Sequence, residues 1–242
     1  MAEIPLPGGF VNRVVRVGDT VRREPGESAE FVHRLLRFLE ERGWTGAPRF
    51  LGIDPRGREV LTYVDGDVAP RAASAGEPEC LVQVAELVRE FHDLTAGTPL
   101  SGDREVVCHN DLSPKNTVYH FGATGPRPVA MIDWDLAAPG DRIHDVAHMC
   151  WQYLDLGPGV SDIAETADRM RLLCDAYGLD GRGAVVETVL WWQQRCRGGI
   201  ESRAAAGDAA MIALRDSGVA RSVGAAYEWV REHRRELEFR LS

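Results

Sequence analysis

The sequence predicts an α+β chain of two unequal parts, a small N-terminal β-sheet carrying one helix and a larger helical C-terminal part. Three observations carry that expectation. Apolar and polar residues alternate through much of 10–64, apolar residues recur at helical spacing through most of the chain beyond residue 78, and an Ala/Gly/Pro-rich tract, DGDVAPRAASAGEP, separates the two at 65–78. Period-two alternation marks half-buried strands, and an i, i+3, i+4 recurrence marks helices. The expected lobes are therefore 1–64 and 65–242, with the tract at 65–78 as connector and a hinge near 62–66.

In chain order, FVNRVVRVGDTVRRE (10–24) reads as a β-hairpin turning at Gly18-Asp19 after the PGG of 7–9. A helix comes next. Ser28 is its expected N-cap, Phe31, Leu35, Leu36, Phe38 and Leu39 give helical spacing, and Gly43 closes it after Glu41. RFLGID (49–54) and REVLTYV (58–64), split by PRG, read as a second strand pair. Beyond the connector, Leu81, Val84, Ala85, Val88 and Phe91 form one apolar stripe, and 161–178, 184–196 and 208–239 also carry helical periodicity. One stretch breaks the helical second half: NTVYHF (116–121) and VAMID (129–133) are strand-like, and GATGPR between them turns the chain back.

At 242 residues and 44% hydrophobic composition the chain can bury a full core. Its formal net charge of -9 argues against nucleic acid or an anionic membrane as partner, since both polyanions are bound by basic surfaces. Cys80, Cys108, Cys150, Cys174 and Cys196 are widely spaced with no C-x-x-C pair, which suggests neither a zinc cluster nor a disulfide scaffold. With no signal-peptide pattern in the first 20 residues and no 18-residue uncharged run, the expected compartment is the cytoplasm. Lys115 is the sole lysine, leaving 27 arginines of the 28 Lys+Arg. Any task that needs a lysine falls here to arginine or to residue 115.

The chemistry concentrates in CHNDLSPKN (108–116) and MIDWD (131–135). If residue 121 pairs with 128, antiparallel pairing keeps partner numbers summing to 249 and sets Asn116 directly opposite Asp133, with Cβ atoms about 4.5 to 5.5 Å apart. An amide oxygen and a carboxylate so placed can share one hard cation, and magnesium takes one or two protein carboxylates and leaves its other positions to water and phosphates. Asp111, on a loop held by His109 and stiffened by Pro114, would overhang that ion and accept the proton of an attacking hydroxyl. That is the arrangement phosphoryl transfer requires.

H-N-D-L-S-P-K-N resembles the H-x-D-x-x-x-x-N catalytic loop of the aminoglycoside phosphotransferase family, relatives of protein kinases, and I-D-W-D resembles that family's metal-binding segment. The resemblance implies a two-lobed protein-kinase-like fold in a short variant. It implies Asp111 as base, His109 as the residue that organises the catalytic loop, Asn116 and Asp133 as magnesium ligands, and Asp145 as a brace for that loop. It further likens GGFVN, with Gly8, Gly9 and Asn12, to the nucleotide-covering loop, and LTYVDG, with Thr62 and Val64, to the hinge that reads the base through backbone groups. Where the family has a strand lysine, this sequence offers Arg22 and Arg23, of which Arg22 better mimics the usual strand. Where the family has a helix glutamate, Val32 and His33 stand, with Glu30 two residues early.

The implied function is transfer of the γ-phosphate of ATP or GTP, with Mg2+, to a hydroxyl of a small molecule such as an antibiotic, giving resistance or self-immunity. Two alternatives stay open: a non-catalytic kinase-like binding or immunity protein, and, more remotely, a metal-dependent phosphohydrolase using His92-Asp93 and His144-Asp145. Asp135 reads equally as a second metal ligand or a brace. HDVAH (144–148) spaces two histidines as zinc peptidases do, but lacks the glutamate and a third ligand. Adjacent Trp191 and Trp192 are expected to divide between core and boundary.

Overall fold

The computed structural model describes residues 2–6, 14–68, 76–122 and 125–242. Grouped by contacts, residues 1–71 and 90–142 form one unit and residues 72–89 and 143–242 another.

The first unit holds the β-structure. Strands β1 (Ile4–Pro5), β2 (Val15–Val17), β3 (Thr20–Arg23), β4 (Phe50–Ile53) and β5 (Glu59–Thr62) form an antiparallel sheet in the order β1-β2-β3-β5-β4. Gly18, at φ 60°, turns β2 into β3 as the G-D pair predicts. Helix α1 (Ala29–Glu41) buries Val32, Leu35, Leu36 and Leu39, the face that its spacing marks out. Ser28 does stand at its N-cap but at φ -94°, ψ 12°, and its hydroxyl caps nothing. The expected cap is therefore positional only, because a side-chain cap needs an extended backbone at that residue.

Part of the expected connector is itself a strand. β6 (Asp67–Val68) pairs with β8 (Thr117–Gly122), which pairs in turn with β9 (Gly125–Met131), while β7 (Val106–Cys108) pairs with β10 (Ala138–Gly140). Gly66, at φ +135°, carries the chain into β6, where a Cβ would lie 2.6 Å from Val118 Cγ1 and 2.8 Å from the Tyr119 carbonyl oxygen. Only glycine fits that approach. Beneath these strands Trp134 is buried against Phe91, ring centroids 4.9 Å apart, and Trp44 stacks on Phe91 at 5.8 Å.

Helix α2 (Pro78–Thr95) buries the stripe Leu81, Val84, Ala85, Val88 and Phe91 read from the sequence. The second unit continues with α3 (Arg142–Tyr153), α4 (Ile163–Tyr177), α5 (Val185–Ala205), α6 (Ala209–Asp216) and α7 (Val219–Leu241). Asp162 caps α4 by accepting from Glu165 N at 2.9 Å, and left-handed Gly178 ends it. The single helix expected over 208–239 is two, since Gly218 at φ 91° stops α6 and no residue with that backbone continues a right-handed helix. α5 also runs nine residues past its expected end at 196, packing along α7. Among the described residues no helix is long and apolar enough to cross a membrane.

Candidate active site

The loop after β7 is built around His109. Its ring is fully buried against Trp134 at 4.5 Å, Nε2 donates to the Ile132 carbonyl at 3.1 Å, and Nδ1 accepts the Asp111 N–H at 3.3 Å. One nitrogen thus donates while the other accepts, which defines a neutral tautomer and fixes where residue 111 begins. Asn110 sits at φ 63°, a left-handed backbone that Asn tolerates, and its amide donates to the Leu136 carbonyl at 2.9 Å. Pro114 opens a single 3-10 turn, Pro114–Asn116, with the φ that proline prefers. Asn116 Nδ2 then donates both to Asp111 Oδ2 at 2.8 Å and to the Asp111 carbonyl at 2.9 Å. The amide nitrogen is engaged twice, and Oδ1, which has no hydrogen bond among the described residues, is left as an oxygen donor.

The hairpin differs from the expected register, by one residue beside Asn116 and by two beyond the bulge. Partners sum to 248 at Thr117↔Met131 and Val118↔Ala130, and to 247 from Tyr119↔Pro128 onward, with a bulge between. Ile132 N donates to Asn116 O at 2.9 Å, so Ile132, not Asp133, stands opposite Asn116. The cause is the tight return: Gly122 pairs with Gly125, where a wider loop was expected. Asp133 leaves the ladder instead at φ 64°, ψ 61°. That left-handed step, and not cross-strand pairing, sets the direction of its carboxylate.

Its partner is Arg23. The buried guanidinium donates from Nε to Glu59 Oε2 at 2.7 Å, from Nη1 to Asp133 Oδ1 at 3.2 Å and from Nη2 to Asp135 Oδ1. Arg22, favoured from the sequence, points instead at Asp54, 3.8 Å away. The difference between the two arginines comes from the alternation of side chains along a strand: β3 pairs Arg22 with Val60 and Arg23 with Glu59 on β5, and only the second pair is buried. Glu59 is itself 1% exposed, and its other oxygen lies 2.6 Å from His33 Nε2. Arg23, Glu59 and His33 thus form one buried chain of contacts between strand, strand and helix. Sequence reading missed Glu59 and the role of His33. The available signal was a carboxylate sharing the inward face of REVLTYV with Leu61, since a buried carboxylate needs a cation.

Burial pushes the Asp111 carboxyl above the usual carboxylate range; Lys115 and the Asn116 hydrogen bond pull the other way, and Asp133 adds to the rise. Burial also raises Asp135, against the pull of Arg23. For Arg23 burial alone would weaken the charge, but Asp135, Glu59 and Asp133 together hold its pKa above the ordinary arginine value.

Thr62 lies in the sheet with its N–H on the Arg49 carbonyl at 2.9 Å, and Val64 comes just beyond the last pair. Gly8, Gly9 and Asn12 lie outside the described residues. Lys115 is exposed on the loop at 108–116, and Asp145 is fully buried in α3. His144 stacks on Trp191 with centroids 5.1 Å apart, and His148 meets Trp192 edge-on at 4.9 Å, so both imidazoles serve aromatic packing. Trp192 is buried and Trp191 half-exposed, as expected of the pair. Asp93, of the phosphohydrolase alternative, is ion-paired with Arg142 at 2.8 Å.

The residues fit a hard divalent cation. Asn116 Oδ1 and Asp133 Oδ2 carry no hydrogen bond among the described residues, and Asp133 is half-exposed. Oxygen donors of this kind suit magnesium. The model of the phosphotransferase enzyme family matches residues 3–106 and 98–178. The chain belongs to that family. A trifolitoxin immunity protein of Rhizobium leguminosarum bv. trifolii is 33% identical over 214 residues, covering 78% of this chain and 79% of the relative. Among solved structures, aminoglycoside phosphotransferase APH(3'')-Id from Streptomyces rimosus matches with TM-score 0.58 at 16% identity, over 79% of this chain and 89% of that one. Wild-type aminoglycoside 2'-phosphotransferase-IIIa, solved as a GDP complex, matches with TM-score 0.57 at 15% identity, over 100% and 92%. This phosphotransferase-family chain therefore has the protein-kinase-like α+β fold that the loop at 108–116 suggested.

Proposed function

We propose that the protein transfers the γ-phosphate of ATP or GTP to a hydroxyl of a small-molecule antibiotic or toxin, and so confers immunity. The observation that carries this reading is the Asn116 amide held on Asp111 by two hydrogen bonds, of 2.8 and 2.9 Å. It aims a proton acceptor and an amide oxygen from one rigid loop. Family membership and the nucleotide bound by a solved neighbour support the donor; the trifolitoxin immunity relative supports the role. A nucleoside triphosphate donor also fits a cytoplasmic location.

In this reading Asp111 accepts the proton of the acceptor hydroxyl as its oxygen bonds to the γ-phosphorus and the bond to the β-phosphate oxygen breaks. His109 holds Asp111 in place from behind. Asn116 and Asp133 would hold Mg2+, which neutralises charge on the phosphates. Arg23 rather than Arg22 is the arginine at the site, and phosphates compete for it with the carboxylates it now grips.

A second reading, a kinase-like immunity protein that binds without turnover, is favoured by that grip, since Arg23 closes on Asp133 and Asp135. Nucleotide consumption with Mg2+ across a panel of hydroxylated antibiotics and toxins separates the two. Acceptor-dependent consumption supports the transferase; tight acceptor binding without consumption supports the binder.

A further inference from the structure

The site has oxygen donors enough for two cations sharing Asp133. On one side stand Asp111 and Asn116, joined at 2.8 Å, with Asp133 Oδ2 available to complete a group with them; on the other, Asp133 Oδ1 and Asp135 Oδ1 are both bonded to Arg23. Centres that move phosphoryl groups commonly place two divalent ions on such a shared carboxylate. Here the second group is already engaged by a side chain of the same protein.

We infer that Arg23 fills one of these two cation places, so that the centre takes a single divalent ion. The inference rests on the proposed phosphotransferase function and specifies the ion count of that same site. Arg23 is 7% exposed and gives one N–H to each of three carboxylates: Glu59, Asp133 and Asp135. A guanidinium is planar, permanently charged and carries its donors in a fixed fork, so three acids can be met at once; a lysine ammonium is a point charge and meets fewer. Displacing the fork would strip three charge-assisted bonds from a buried group. Glu59 in turn cannot move outward with Arg23, being 1% exposed and held by His33.

Asp135 is closed from its other side as well. Its carboxylate lies 3.4 Å from the place a Cβ would take on Gly26, so the chain leaving β3 runs directly over it. A divalent ion brought to the same oxygens would stand beside the guanidinium, and like charges so close repel strongly. In the first group Lys115 acts on Asp111 by its charge alone and is itself exposed, and Asp133 remains half-exposed, with one oxygen unbonded among the described residues.

The test counts ions. The full-length protein is titrated with Mn2+ alone, and again with a non-hydrolysable ATP or GTP analogue, while free Mn2+ is read by electron paramagnetic resonance. One ion per chain is expected for wild type and two for Arg23→Met, which removes the charge. The double variant Arg23→Met/Glu59→Met, which removes the buried pair together, is expected to bind two as well, and it decides the matter should Arg23→Met fail to melt cooperatively. Two ions in wild type, or one in every folded variant, overturn the inference while leaving a metal-dependent transferase intact. No bound Mn2+ in any form, with or without nucleotide, overturns the metal centre itself and the inference with it.

Discussion

Arg23 and Glu59 face each other across the β3–β5 ladder, Nε to Oε2 at 2.7 Å, with side chains 9% and 1% exposed. A pair so buried holds together because each charge answers the other; loss of one leaves the other stranded. Glu59→Ala should lower unfolding stability by about 3 kcal/mol, measured by denaturant titration. Arg23→Met/Glu59→Met should recover most of that loss, since the pair then leaves as a unit. Equal destabilisation of both variants would show that the pair's geometry, rather than its charge, holds the sheet.

Asp111→Asn should move activity and stability in opposite directions. Transfer should fall on the order of 10²-fold or more, as for loss of a general base. Stability should rise at neutral pH, because burial raises the Asp111 pKa above its ordinary 3.8 and so disfavours the charged form in the native state. A raised carboxyl pKa contributes stability that is present below the unfolded value and is lost as pH rises through the folded one. The melting-temperature gap over wild type should therefore be widest near neutrality and close in acid below the ordinary value. For the same reason the wild-type rate should drop, as pH is lowered, at a pH above the usual carboxylate range.

His109→Phe keeps the ring that packs on Trp134 but removes both hydrogen bonds, at 3.1 Å to the Ile132 carbonyl and at 3.3 Å from the Asp111 N–H. Stranding these buried backbone groups should destabilise by about 1–3 kcal/mol. The turnover number should fall with KM for nucleotide little changed, because the loop that carries Asp111 loosens while Arg23 stays in place. Steady-state kinetics beside a thermal melt separate these effects.

Gly66→Ala should be among the most damaging glycine substitutions, since its Cβ would meet the Tyr119 carbonyl oxygen at 2.8 Å. Gly57→Ala, also at positive φ but with nothing within 4 Å, isolates the backbone contribution, about 1–2 kcal/mol. The difference in melting temperature between the two variants measures the close approach of β6 to β8.

Sequence pattern was sufficient to specify the α+β class, the buried stripe of α2, the hairpin that returns the chain from Asn116 toward Asp133, and the compact set His109, Asp111 and Asn116. These arise from periodicity and short spacings, which act within a few residues of chain. Which arginine meets Asp133 and Asp135 depends on long-range packing, since neighbouring strand residues face opposite ways and the choice follows from which residue of β5 lies across the ladder. Packing also moved the hairpin, by one residue beside Asn116 and by two beyond the bulge, where a tight glycine return and a bulge replaced the wider turn, and left Asp133 to find its direction through a left-handed backbone step. Glu59 and His33 acquired their places at the site only when strands and helix far apart in the chain came together around one buried positive charge.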